Sequence, residues 1–209
     1  MSHWLAILEN EVQLAALGFM ATVYLVRLAW LLRFGIAKDL SQPKADPLPG
    51  VAWAFATIFQ PWAMESTRKR WWQWLEFAVF HVAVAAMIAV SFIIPYAPHW
   101  LTPPVVRGLI LTQVGGLVTG AIRLSRRFVV PEVRAVSSLE DYVALGWVWV
   151  LFVTCIWTLM GSLVGTALYF ALVALIIVYV PFSKISHYLY FPFVRLFFGL
   201  YVGRRDLVR

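Results

Sequence analysis

Long apolar runs alternate along this chain with short polar connections, and each run is about as long as a lipid bilayer is thick. Five runs are readable, at about 12–33, 72–95, 105–122, 142–160 and 163–183. Each is close to the ~20 residues that a helix needs to cross the hydrocarbon layer. The last two are parted only by Met160-Gly161-Ser162, which predicts a tight helical hairpin. Pro103-Pro104 marks the start of the third span, since proline is tolerated in a helix's first turn. The connection 34–71 is long, and its apolar middle, Val51 to Phe59, is too short to cross. Trp53, Trp62 and the nearby basic run predict an interfacial segment there, with a docking platform for a cytoplasmic partner as the alternative. The expected fold is all-α, a single domain forming an integral membrane five-helix bundle.

Composition strengthens this reading. Of 209 residues 62% are hydrophobic and 13% charged, whereas soluble domains run nearer half and a quarter. No large extramembrane domain fits. The one cysteine, Cys155, excludes an internal disulfide, a CxxC redox pair, a CxxCH haem attachment and a cysteine-ligated iron–sulfur cluster. The opening residues lack the basic and small-residue features expected of a cleaved signal peptide.

The net charge of +7 acts as a topology signal. Arg33, Lys38, Lys44, Arg68, Lys69 and Arg70 fall between spans 1 and 2. Arg123, Arg126, Arg127 and Arg134 fall between spans 3 and 4, and Lys184, Arg195, Arg204, Arg205 and Arg209 fall in the tail. Fifteen of the 17 basic residues thereby share one side of a five-span chain. The positive-inside rule makes that side the cytoplasm, with the N-terminus outside and the C-terminal tail, 188–209, inside. Nucleic acid is not an expected partner.

Four histidines are present: His3, His81, His99 and His187. His81 lies well inside span 2, where an ionisable residue marks a functional site by default. His187 follows span 5, and both histidines fall in the cytoplasmic half of their helices. Two imidazoles from neighbouring helices suit the iron of a six-coordinate haem b. This pairing requires the fifth helix to continue past Lys184, with Lys184 snorkelling to the headgroups. The competing reading makes both histidines buried structural groups of a cofactor-free membrane anchor, assembly factor or small transporter. Arg27, inside span 1, is either a snorkelling arginine or a partner for a haem propionate. Glu76 reads as interfacial, and Trp71, Trp72, Trp74 and Trp100 as belt residues. No soluble catalytic constellation is present, so no catalytic residue is assigned.

Three segments carry a family resemblance. Pro181-Phe182-Ser183-Lys184-Ile185-Ser186-His187, followed by Pro192, resembles the last helix of the gamma subunit of respiratory nitrate reductase, a dihaem membrane cytochrome b. The Phe80-His81 helix is similar to that family's second helix. Gly115-Gly116-Leu117-Val118-Thr119-Gly120, with Arg123, Arg126-Arg127, Pro131, Val133-Arg134, Ser138 and Asp141, is similar to its segment joining helices three and four. The resemblance covers about 72–209. It implies haem ligation by His81 and His187, a quinone as substrate, and the cytoplasmic (inner) membrane of a prokaryote as the location. It also implies a cytoplasmic iron–sulfur partner subunit, of nitrate-reductase or heterodisulfide-reductase-like type; the segment 48–70 favours the latter. Ser91 and Tyr169 stand where the family carries its second pair of haem ligands, so one haem b is expected rather than two. Arg107 lies near the family's quinone-binding lysine. Ser91, Tyr96 and His99 complete the expected quinone site.

Overall fold

The computed structural model describes residues 3–35, 42–63 and 65–207. Among the described residues the regular structure is helical throughout. Chain order gives α1 (His3–Leu32), α2 (Leu48–Ala56), α3 (Trp71–Tyr96), α4 (Pro103–Val129), α5 (Leu139–Leu159), α6 (Leu163–Tyr179) and α7 (His187–Arg204). Helices α1, α3, α4, α5 and α6, the last prolonged by a 3-10 turn Val180–Phe182, are long and apolar enough to cross a bilayer. The five such helices among the described residues make the chain a multi-pass membrane protein.

Two compact units divide the chain. The first comprises Met1–Val23 and Leu75–Ile185, the second Tyr24–Trp74 and Ser186–Arg209.

In the first unit, Phe80, Ala83, Met87 and Val90 of α3 meet Leu151, Phe152 and Cys155 of α5 and Tyr169, Phe170 and Val173 of α6 in one buried cluster. Small residues let α4 approach. A Cβ added at Gly116 would fall 2.6 Å from the Ala83 Cβ and 2.8 Å from Phe152 Cζ. Lipid offers apolar groups no hydrophobic incentive to leave it, so close packing of this kind is what binds helices in a membrane. The outward residues Leu111, Val118 and Leu175 remain exposed and apolar, as a lipid-facing surface requires.

The predicted α5–α6 hairpin is present. Gly161 takes φ +83, a conformation that costs glycine nothing, and Ser162 Oγ accepts from the Gly165 N–H at 3.1 Å. Helix α4 starts on Pro103 as expected but runs on to Val129. Arg123, Arg126 and Arg127, expected in a loop, instead form its last turns, where cations complement the helix dipole. Val130 turns extended ahead of Pro131 and ends the helix.

In the second unit the segment expected at the membrane interface acquires a partner. Helix α2 lies against α7, with Trp53 over Phe198 at 6.1 Å between ring centroids. Gly199 and Gly203, one helical turn apart, make the contact. A Cβ on Gly199 would fall 2.5 Å from Val51 Cα, and one on Gly203 2.5 Å from the Pro47 carbonyl oxygen. Gly50 faces the same two glycines. The Lys44 N–H donates to the Arg204 carbonyl at 2.8 Å, tying the connection to the end of α7. Lys38 and Arg209, counted in the charge pattern, lie outside the described residues.

Candidate functional site

His81 is half-buried on α3, in the first unit. Its Nδ1 lies 2.8 Å from the Phe77 carbonyl oxygen. A carbonyl only accepts, so Nδ1 carries the proton and Nε2 the lone pair. This is the outer-shell arrangement that orients a metal-ligating imidazole. The ring packs on Phe77 at 3.9 Å and edge-on against Phe80 at 5.8 Å, so its orientation is fixed by apolar neighbours as well.

Above those rings the end of α4 supplies charge. The Arg123 guanidinium stands 5.9 Å from the Phe77 centroid and 5.4 Å from the Phe80 centroid. One turn on, Arg126 Nη2 donates to both carboxylate oxygens of Glu76, at 2.6 Å to Oε2. Glu76 is only 6% exposed. It is thus a buried ion-pair partner and not the interfacial carboxylate expected from its position in the chain.

A second charged cluster joins positions that the sequence shows far apart. Ser138 caps α5, its N–H and Oγ donating to Asp141 Oδ2 at 2.8 and 2.9 Å. Lys184 Nζ donates to the same Oδ2 and to Ser138 Oγ, each at 2.8 Å, and the Lys184 N–H donates to Glu140. Arg127 approaches Asp141 at 3.8 Å and donates to Ser137 Oγ at 2.6 Å. Lys184 therefore does not snorkel. The fifth span also does not continue through it: α6 ends at Tyr179, and two 3-10 turns, Val180–Phe182 and Lys184–Ser186, precede α7. Pro181 explains the break, because its ring removes a donor and clashes with the preceding turn.

His187 is exposed and opens α7 in the second unit, its ring 6.4 Å from that of Tyr188. The Tyr188 hydroxyl shares a 2.6 Å hydrogen bond with that of Tyr24 on α1. Arg27, the expected propionate partner, belongs to the same unit and acts electrostatically on Tyr24.

The expected quinone residues separate. Ser91 and Tyr96 line a small cavity with Glu9 and Gln13 of α1, whereas Arg107 and His99 do not line it. Arg107 Nε donates to the Pro103 carbonyl at 3.3 Å, and exposed His99 lies edge-on to Trp100 at 6.1 Å. With a volume of about 20 Å³ the cavity holds a single water and no quinone ring. Tyr169, at the position where the resemblance would place a second haem ligand, is fully buried and donates to the Met87 carbonyl at 2.6 Å. Core fills that position.

Sequence reading missed the Glu76–Arg126 pair, the Lys184–Asp141 link and the Glu9 cavity. Only the Ser138-x-x-Asp141 capping spacing gave notice in sequence. No protein-family model, curated protein or solved structure matches the chain.

Proposed function

We propose that this chain is a membrane cytochrome b subunit that relays electrons between the quinone pool and an iron–sulfur partner subunit on the cytoplasmic side. In this reading His81 and His187 would hold one haem b through their imidazoles. The observation that carries it is His81 itself, an imidazole within an apolar helix, its Nδ1–H committed to the Phe77 carbonyl. A bound haem b supplies a one-electron carrier at membrane depth. Phe77 and Phe80 hold the His81 ring in place. Arg27 would be available to a propionate of that haem. Tyr96, His99 and Arg107, all exposed near the α3–α4 connection, would be the polar groups offered to a quinone head at the surface, outside the small cavity that Ser91 lines. An apolar groove of about 590 Å³ between α1 and α6, lined by Leu8, Ala15, Phe19, Ala174 and Leu175, has room for an isoprenoid chain. The crowd of cations on one side of the chain supports the cytoplasmic placement of the partner, on a prokaryotic inner membrane.

A reduced-minus-oxidised difference spectrum of the purified protein tests the reading. It should show b-type bands at about one haem per chain by the two-ligand count. His81→Ala and His187→Ala should each abolish the bands, and His99→Ala should leave them. Colourless folded protein would replace this reading with that of a cofactor-free anchor, assembly factor or small transporter. Two haems per chain would refute the ligand count.

A further inference from the structure

The cavity beside α1 is polar in one sense only. Gln13 is 6% exposed. Its Nε2 donates to the Phe170 carbonyl at 2.8 Å and the Leu8 carbonyl at 3.2 Å. Two carbonyls can accept only from nitrogen, so the amide orientation is fixed and Oε1 is aimed away from them. That oxygen is buried with no hydrogen-bond partner among the described residues. Glu9, one turn earlier, is 2% exposed and lines the same cavity. Ser91 Oγ gives its proton to the Ile88 carbonyl at 2.7 Å, which leaves it an acceptor here. A carboxylate, an amide oxygen and a hydroxyl lone pair thus surround a space of about 20 Å³. Leaving an acceptor buried and unpaired costs about 1–3 kcal/mol. The occupant must donate in several directions and be no larger than a water.

Leu8–Val12 is a π-helical turn, and such turns are frequent at functional sites. Glu9 on it is buried, with buried Leu5 and Gln13 four residues to either side, while Glu11 on the same turn stays exposed.

We propose that Glu9 is a proton-exchange site, served by one water held between its carboxyl group, Gln13 Oε1 and Ser91 and leading to the exposed Tyr96. Protonation forms one O–H bond at the carboxylate as that water gives up a proton and takes another from bulk hydronium at the exposed Tyr96 rim; deprotonation runs the same exchange in reverse. No electrons move. The titratable group facing Glu9 from α3 is Tyr96. From α6 the wall is Ile177; the buried Tyr169 of α6 reaches Ser91 from outside the lining, its own proton given to the Met87 carbonyl. Glu11 on α1 lies outside the lining. The site does not rest on haem and would stand in a colourless protein.

Infrared difference spectroscopy of the full chain in lipid vesicles, stepped from mildly acid to mildly alkaline pH, tests this. A carboxyl C=O band should appear and vanish across the range, shift down in D₂O, be lost in Glu9→Gln and persist in Glu11→Gln. Ser91→Ala should move the band without abolishing it, which keeps the test decisive even if Glu9→Gln fails to fold. A spectrum with no Glu9-dependent band overturns the proposal. A band unmoved by Ser91→Ala overturns the placement of the water. A band that responds to sodium against choline at fixed pH overturns proton exchange in favour of a metal-cation site.

Discussion

Gly116→Ala isolates the contact that sets how closely α3, α4 and α5 pack. The added Cβ falls 2.6 Å from the Ala83 Cβ and 2.8 Å from Phe152 Cζ, whereas carbon atoms prefer about 3.5–4.0 Å. One or both neighbouring helices must therefore yield by about 1 Å to restore that spacing. Ala83 has no torsion with which to retreat, and Phe152 is fully buried. Overpacking of this kind costs about 1–3 kcal/mol. Alanine's better helix propensity returns up to about 1 kcal/mol of it. Gly108→Ala on the same helix gains the propensity alone, since nothing lies within 4 Å of its Cβ. The two variants should thus differ by the overpacking cost, about five- to 150-fold in the folded-to-unfolded ratio. Reversible unfolding in mixed detergent micelles, followed by circular dichroism, measures the difference. Adding Ala83→Gly to Gly116→Ala should recover part of the loss, because it removes the nearer of the two clashes. Equal stability of Gly116→Ala and Gly108→Ala, or no recovery in the double variant, would refute the packing argument.

The other contacts give shorter tests. Glu76→Gln should cost about 1–3 kcal/mol, below the full penalty for breaking a buried pair because Arg126 is partly exposed; a double-mutant cycle with Arg126→Gln should show coupling in the same unfolding assay. Asp141→Ala should cost about 0.5–2 kcal/mol through loss of the α5 cap. Lys184→Met should cost less, because half of that side chain is exposed, and a larger loss for Lys184→Met would reverse the ranking. Gly203→Ala puts a Cβ against the Pro47 backbone and should part α2 from α7, read as faster tryptic cleavage after Lys44 with the far-ultraviolet helix signal kept.

The five spans were legible because a bilayer forces each crossing segment to be apolar over its whole length, and that demand is written residue by residue. The α5–α6 hairpin was legible at Gly161 for a similarly local reason. The charged residues were not, because each has two uses that look alike in one dimension. Arg126 reads as a topology signal until Glu76 is found against it, fifty residues earlier in the chain. Lys184 reads as a snorkelling side chain until the Asp141 carboxylate accounts for it. A cation near a span end satisfies the headgroups or a buried carboxylate equally well, and only packing decides between them. Histidine is the reverse case. Its depth in the sequence sufficed to single out His81, while its tautomer is set by a backbone carbonyl four residues away.

Glu9 carries this ambiguity furthest. An acidic residue near the end of an apolar run reads as solvated, and Glu11 beside it is exposed. An ordinary α-helix turns 100° per residue, and the sequence offers no reason to abandon that period at Leu8. Across Leu8–Val12 the chain nevertheless takes the wider π turn. Glu9 and Gln13, four residues apart, lie on the same face as Leu5 and Ala16, and all four are buried. The Gln13 amide is then spent on holding α1 to the Phe170 carbonyl of α6, and its oxygen must be satisfied inside. The contact that fastens α1 to the bundle thus leaves an acceptor beside a buried carboxylate, and a proton-bearing water is the smallest guest able to answer both.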